Sequence, residues 1–297
     1  MNIAVIGLGN IGIVYAAHLA AAARHRVFAC VRRKPNPLIV DGSFGRVTGE
    51  AEWFDLPSQA PQADWIFLAT KVQDTITAAP WFKSLVKPGS RIVVLQNGVD
   101  AGQRLEPLRN GATVIPTVVF TNSKRLGPGH VRHFRSEYDL AVPPSDDSKL
   151  LIELVAGTAI RIEQESEFVT VAWRKFLINL AANPITAIVG RGIGAMRTAE
   201  MEQVCIQLLE EAAAVGRVEG AKLGPDVARE VLTWMKGFPA DISTSMMEDK
   251  LAGRPLEYDA LTGTALRLGE KHGFVMPTNR ILLALLKGIS DTQISER

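Results

Sequence analysis

The sequence predicts an open parallel α/β domain followed by an all-helical one, and three observations predict it. The chain opens on an apolar strand that runs straight into a turn punctuated by Gly7, Gly9 and Gly12, and then into a helical pattern. Short β-rich runs bounded by Gly, Pro, Asp or Asn recur through the first half. From about Phe168 onward the apolar residues fall at helical spacing instead.

Taken in order, the runs 2–7, 26–31, 65–70, 91–96 and 114–121 read as strands of a parallel sheet with crossover helices, the first helix covering 14–23. Runs at 130–135, 138–142 and 159–163 close the half with antiparallel character. In the second half Met201, Val204, Cys205, Leu208, Leu209, Ala212 and Val215 form one helix stripe. Gly224 and Pro225 separate it from the next helix, and two more follow over 257–272 and 277–286. The polar stretch 163–167 marks the boundary, giving domains at 1–166 and 167–297.

Composition narrows the function classes. At 297 residues and 47% hydrophobic, the chain can bury a sizeable core and its length is at the upper edge of what one core serves, so two domains are expected. A net charge of +2, with no basic run interleaved with aromatics, argues against nucleic acid and acidic membranes as partners. Cys30 and Cys205 lie far apart with no metal-ligand or redox spacing, so no metal site is expected and both read as small buried hydrophobes. The apolar opening lacks a basic leader and is broken by glycines, and no uncharged run is long enough to span a bilayer. A cytoplasmic protein is expected. The helical half carries enough apolar stripe to support a homodimer interface.

The stretch Gly7, Leu8, Gly9, Asn10, Ile11, Gly12 has the dinucleotide-binding spacing in its proper strand–turn–helix context, which makes the first domain Rossmann-type. Gly7 allows the tight turn, Gly9 lets backbone approach a pyrophosphate, and Gly12 lets helix pack on strand. The helix N-terminus offers free N–H groups to the phosphates. NAD-specific sheets end their second strand in an acid that holds the ribose 2′-hydroxyl. Here Arg32, Arg33 and Lys34 stand in that place, and Arg32 is the best candidate for the 2′-phosphate of NADP(H). Lys71 and Asn97 follow later strands on the same sheet edge; Lys71 can reach a phosphate or a substrate carboxylate, and Asn97 the nicotinamide ribose or the substrate.

In VAWRKFLINLAANPITA, Lys175, Asn179 and Asn183 are spaced i, i+4, i+8 on a helix otherwise strongly apolar. Such a polar stripe is costly unless it faces a cleft or satisfies itself. A lysine there can polarise a ketone and protonate the alkoxide that forms as hydride arrives, and desolvation brings its pKa toward the working pH. Further on, Glu257 opens a helix, and Ser243 and Ser245 are available as helix caps.

These residues together resemble the ketopantoate reductase (2-dehydropantoate 2-reductase) family, among the 6-phosphogluconate-dehydrogenase-like enzymes. The likeness covers essentially the whole chain: GLGNIG, TK at 70–71, QNG at 96–98, GPG at 127–129, WRKFLINLAANPITA, SMMEDK, EYDALTG and HGFVMPTNRILLALLK. The resemblance implies that Lys175 is the general acid, that Glu257 hydrogen-bonds the substrate hydroxyl, and that Asn97, Asn179, Asn183 and Ser245 bind substrate. It also implies that Gly7, Gly9, Gly12, Arg32 and Lys71 contact NADP, with Asn97 near the nicotinamide. The reaction implied is NADPH-dependent reduction of a small keto acid, 2-dehydropantoate to (R)-pantoate, for pantothenate and coenzyme A synthesis. Two alternatives stand beside it: a hydroxyacid or opine-type dehydrogenase of the same layout, and an NADP-binding protein without turnover. The segment 234–244 is expected to line the substrate pocket.

Overall fold

A computed structural model describes residues 1–33 and 37–295, so Lys34 lies outside the described residues. The chain divides into two compact units, Met1–Gln96 with Asp100–Phe168, and Asn97–Val99 with Val169–Arg297.

The first unit is built on a parallel sheet. Strand β1 (Asn2–Ile6) leads through helix α1 (Asn10–Ala21) to β2 (Arg26–Cys30). A hairpin of β3 (Leu38–Gly42) and β4 (Gly45–Gly49) precedes β5 (Glu52–Phe54) and β6 (Trp65–Leu68). A 3-10 stretch (Val72–Ala78) and α2 (Ala79–Leu85) return the chain to β7 (Arg91–Val94), and α3 (Ala101–Leu105) to β8 (Thr113–Ile115). The sheet order β5-β2-β1-β6-β7-β8, parallel throughout, is the doubly wound order of a dinucleotide-binding sheet.

Its strands are apolar without alternation because both faces are covered. Ile3, Val5, Trp65, Phe67 and Val93 point to one layer with Ile13, Val14 and Tyr15 of α1. Ala4, Ile6, Phe28, Ile66, Leu68 and Ile92 point to the other, with Phe82 and Leu85 of α2. Each such large side chain contributes roughly 1.5–3 kcal/mol by leaving water.

Unexpected from the sequence are β3, β4 and β5, short segments in which glycines and charges hide the β pattern. The hairpin joins β10 (Asn122–Gly127) and β11 (His130–Phe134) in a second sheet of order β10-β11-β3-β4. The single strand expected at 114–121 is in fact two, β8 and β9 (Val118–Val119), in different sheets. Pro116, which cannot donate to a ladder, lies between them. Strand β9 pairs antiparallel with β12 (Leu140–Val142), whereas β12 and β13 (Ile162–Gln164) run parallel across the crossover helix α4 (Asp146–Val155). The antiparallel expectation therefore holds for β10–β11 and β9–β12 but not for β12–β13 or β11–β3, which are parallel.

Helix α1 is locked in place by a buried polar chain. The Tyr15 hydroxyl donates to Thr121 Oγ1 (2.8 Å), which donates to the Asp139 carbonyl (3.2 Å). The Asp139 carboxylate accepts from His133 Nε2 (2.6 Å) and from the Arg161 backbone N–H (2.9 Å). His18, also on α1, is buried beside the rings of Phe44 and His133.

The second unit is helical: α5 (Phe168–Val189), α6 (Ala199–Val218), α7 (Val227–Lys236), α8 (Ser245–Leu251), α9 (Thr264–Lys271) and α10 (Pro277–Ser295). The stripe read on α6 packs Cys205, Leu208, Leu209, Ala212 and Val215 into one core with Trp173, Phe176, Leu177 and Leu180 of α5. Helix α10 runs well past the expected end at 286, and its start is capped by Glu211, which accepts from the N–H groups of Thr278 and Asn279. The helix expected from Glu257 begins instead with a π-helical turn (Asp259–Gly263), leaving Glu257 in the connection before it. Among the described residues no helix is long and apolar enough to cross a membrane.

Burial, and then the neighbouring His133, lowers the His18 pKa from 6.5 to about 4. The unfolded chain therefore binds the extra proton between those values, and stability is lost as pH falls from about 6.5 toward 4. The loss expected from this group is up to ~1.4 kcal/mol per pH unit. Urea unfolding of wild type and His18→Gln at pH 7 and pH 4.5 checks it: the gap between the two proteins narrows at the lower pH. A gap that does not change with pH removes His18 from the acid response.

Candidate functional site

Within the first unit, the parallel order puts the C-terminal ends of β2, β1, β6 and β7 along one edge, where ligands of open α/β sheets bind. The glycine turn leaves β1 there. Gly7 has φ +91°, a left-handed conformation that side chains rarely adopt, and a Cβ on it would press on Thr70 at 3.0 Å. A Cβ on Gly12 would stand 2.1 Å from the Gly7 carbonyl oxygen, so only glycine lets α1 start this close to the strand. Gly9, the residue before α1, is different: a Cβ there would meet nothing nearer than the Ala69 carbonyl at 3.9 Å. The fold itself does not require that glycine, and the space it leaves suits a pyrophosphate approaching the helix N-terminus. The first turn of α1 carries no acidic residue to oppose an anion.

Leu8 and Asn10 are held by Arg125, a residue the sequence reading missed because it lies more than a hundred positions away. Its guanidinium donates to the Leu8 carbonyl (3.3 Å) and to Asn10 Oδ1 (3.1 Å), while Asn10 Nδ2 donates to the Ser123 carbonyl (3.3 Å). Ile11 is half-buried against the α1 side of the sheet. Arg32 and Arg33 follow β2 in a bend, and both are exposed. Lys71 follows β6 and precedes the 3-10 stretch. Its turn is fixed by another missed residue, buried Gln96, whose amide donates to the Thr70 carbonyl and hydroxyl (both 3.1 Å) and to Thr75 Oγ1 (2.9 Å).

Within the second unit, α5 presents Lys175, Asn179 and Asn183 on one stripe. Lys175 and Asn179 are half-buried and Asn183 is buried, beside the fully packed Trp173, Phe176, Leu177 and Leu180. Burial lowers the Lys175 pKa from its ordinary 10.5, and burial is the cause that accounts for the shift. The segment Asn97–Val99 packs with this unit, and Gly98 turns there at φ +109°. Asn179 Nδ2 donates to Asn97 Oδ1 (3.4 Å). Asn183 Nδ2 donates to the Asn179 carbonyl (3.2 Å) and reaches its Oδ1 (3.5 Å). At the far end Asn183 Oδ1 accepts from Ser245 Oγ (3.1 Å) and from the Met246 N–H (3.3 Å).

Asn97, Asn179, Asn183 and Ser245 thus form one ladder, with Lys175 one turn before Asn179 on α5. Glu257 is buried in the connection between α8 and the π-helical turn. The two serines are separated: Ser243 is exposed and donates to Glu248 Oε1 (2.9 Å), away from the ladder. Neither caps α8, the structural role the sequence also left open to them. That role falls to Thr244, whose Oγ1 accepts from Met247 N–H (3.3 Å). The loop 237–244 is pinned by backbone bonds from Ile193 to Ile242 (3.0 Å) and from Gly194 to Ala240 (2.8 Å).

The chain matches the sequence profile of the family described as ketopantoate reductase PanE/ApbA over residues 3–146, and that of its C-terminal part over residues 167–290. It is 32% identical to a 2-dehydropantoate 2-reductase of Caulobacter vibrioides over 285 residues, covering 96% of this chain and 98% of that one. It is 30% identical to a 2-dehydropantoate 2-reductase of Mycobacterium tuberculosis, covering 98% of both. Among solved structures it is similar to a PanE/ApbA family ketopantoate reductase from Ralstonia eutropha JMP134, with TM-score 0.89 and 30% identity over 99% of this chain and 100% of that one.

The two glycines make a testable contrast. Gly9→Ala leaves thermal stability within about 2 °C of wild type, because its methyl group meets nothing nearer than the Ala69 carbonyl at 3.9 Å, and is expected to weaken binding of a nicotinamide dinucleotide by at least about tenfold. Gly12→Ala lowers both. Thermal melts paired with fluorescence titration of NADPH decide it, and unchanged binding by Gly9→Ala would free that position from any cofactor role.

Proposed function

This chain belongs to the ketopantoate reductase family, and from that premise we propose that it reduces the ketone of 2-dehydropantoate to (R)-pantoate with NADPH. The observation that carries this reading is the polar stripe of α5, a lysine of lowered pKa followed by two asparagines that Ser245 and Asn97 join in one ladder. When bound, the reduced nicotinamide supplies the hydride that C2 of the keto acid accepts. As that bond forms, the carbonyl π pair moves to oxygen, and Lys175 donates a proton there and is left as the neutral amine. The ammonium also polarises the carbonyl before transfer, so one group serves both demands. A proton from water restores it.

Asn97, Asn179, Asn183 and Ser245 orient the keto acid by hydrogen bonds that add no charge beside Lys175. Glu257 accepts from the substrate hydroxyl, which distinguishes a hydroxylated keto acid from a purely aliphatic one. At the other end of the cofactor, Arg32 pairs with the ribose 2′-phosphate by charge-assisted hydrogen bonds, and Gly9 admits the pyrophosphate to the N-terminus of α1. Lys71 adds a second cation for a phosphate or for the substrate carboxylate.

Initial rates of NADPH oxidation with 2-dehydropantoate, set against other branched 2-keto acids, test the reading directly; absence of turnover on every one of them would defeat it. Lys175→Ala keeps NADPH binding but lowers kcat by roughly 10² or more, as the loss of a positioned acid does. Because the ammonium is the working form and its pKa is lowered, turnover declines as pH rises through that pKa, so the alkaline limb lies below 10.5. A pH profile flat to that value would contradict the assignment. Arg32→Ala raises KM for NADPH by about tenfold while leaving KM for NADH within about twofold, as parallel kinetics with the two coenzymes show; equal losses for both would reassign Arg32.

A further inference from the structure

A side-chain amide has one accepting and one donating end of nearly the same shape, so its orientation is set by its partners. In the ladder of the second unit one partner has no choice. The backbone N–H of Met246 can only donate, and it points at Asn183 Oδ1 (3.3 Å) alongside the Ser245 hydroxyl. That turns the Asn183 nitrogen toward Asn179, whose carboxamide oxygen then accepts and whose nitrogen then donates to Asn97 Oδ1. The direction set at the start of α8 is passed through three amides. It ends with Asn97, which is left with N–H donors, suited to a carbonyl or carboxylate oxygen, to offer.

The relay depends on where α8 begins, and α8 is tied to α5 at both ends. At its far end Lys250 Nζ donates to the Ala187 carbonyl (2.7 Å), one of the last in α5. At its start, Thr244 caps the helix and also lies 2.7 Å, Oγ1 to Oγ1, from Thr186, which is fully buried on α5 one turn beyond Asn183. The Thr186 hydroxyl gives its proton to the Ala182 carbonyl (2.7 Å), so it accepts the proton of Thr244. Every hydroxyl in this contact therefore has a fixed sense.

We propose that Thr186 is a positioning residue. Acting through Thr244, it holds the start of α8 at the height where Met246 and Ser245 orient Asn183, and thereby sets Asn97 to present donors to the keto acid. The role in turnover rests on the function proposed above; the orientation of the amides does not.

The test compares Thr186→Val, which keeps the shape and removes the hydroxyl, with Thr186→Ser, which restores it. Two readouts are taken on the full-length protein: steady-state kinetics with 2-dehydropantoate and NADPH, and the ¹⁵N side-chain amide resonance of Asn97, assigned by its loss in Asn97→Asp. The valine variant is expected to raise KM for the keto acid about tenfold, the effect of one lost or misaligned hydrogen bond, with KM for NADPH within about twofold. It also shifts the Asn97 resonance, and the serine variant reverses both effects. A valine variant that keeps both readouts at wild-type values, or a serine variant as impaired as the valine, overturns the proposal. Should Thr186→Val fail to fold, Thr244→Val is measured by the same two readouts, with the same shifts expected and wild-type values again overturning the proposal. If wild type turns over no 2-keto acid, the functional reading falls, and the Asn97 resonance alone then decides for or against the relay.

Discussion

The proton of a lysine is held less tightly when its ammonium leaves water, and at Lys175 burial lowers the pKa. The character of the neighbouring residues follows from that. A second cation on the same stripe would depress the amine further and empty it of its proton near neutral pH. A carboxylate would raise it and hold the proton back from a ketone. Asn179 and Asn183, at the next two helical positions, avoid both effects while still offering hydrogen bonds. The stripe is thus polar enough to bind and neutral enough to leave the acid strength to its surroundings.

The same economy appears in the glycine turn, where residues of one type meet different demands. Gly7 and Gly12 are required by the protein, one by its left-handed backbone and the other by the contact of α1 with the turn. Gly9 meets no such demand, and the space beside it is what the proposed pyrophosphate contact would use. Arg125 and Gln96 then stiffen the turns around this edge from strands and loops far along the chain. A site that must leave space open needs its margins held from outside, because no side chain inside can brace it.

How much of this was legible in the sequence depended on how local each cause was. The glycine spacing, the apolar runs of β1, β2, β6 and β7, and the stripe on α6 are written in consecutive residues, and the structure contains them. Strands β3 and β4 were not legible, since Gly42, Gly45 and Gly49 break the pattern and pairing of β3 with the distant β11 supplies the order, and the three-residue β5 is defined by its pairing with β2. The undivided strand expected at 114–121 ignored Pro116, although the missing N–H was there to be read. Glu257 was placed at a helix start because its charge suits one; the π-helical turn that displaces the start by two residues has no signature in spacing.

The site shows the same division more sharply. Lys175, Asn179 and Asn183 announce themselves because polar groups on an apolar helix need a reason, and their helical spacing supplies a common direction. Thr186 sits on that same helix three residues beyond Asn183, and nothing marks it, since a threonine there satisfies itself on the carbonyl a turn earlier. What makes it consequential is that this self-satisfaction uses its only proton and leaves an oxygen that can only accept. Thr244 must then donate to it, and its own oxygen is free to cap α8. The sense of a hydrogen bond, which no residue pattern records, is therefore what links an inconspicuous core threonine to the amides proposed to bind the substrate.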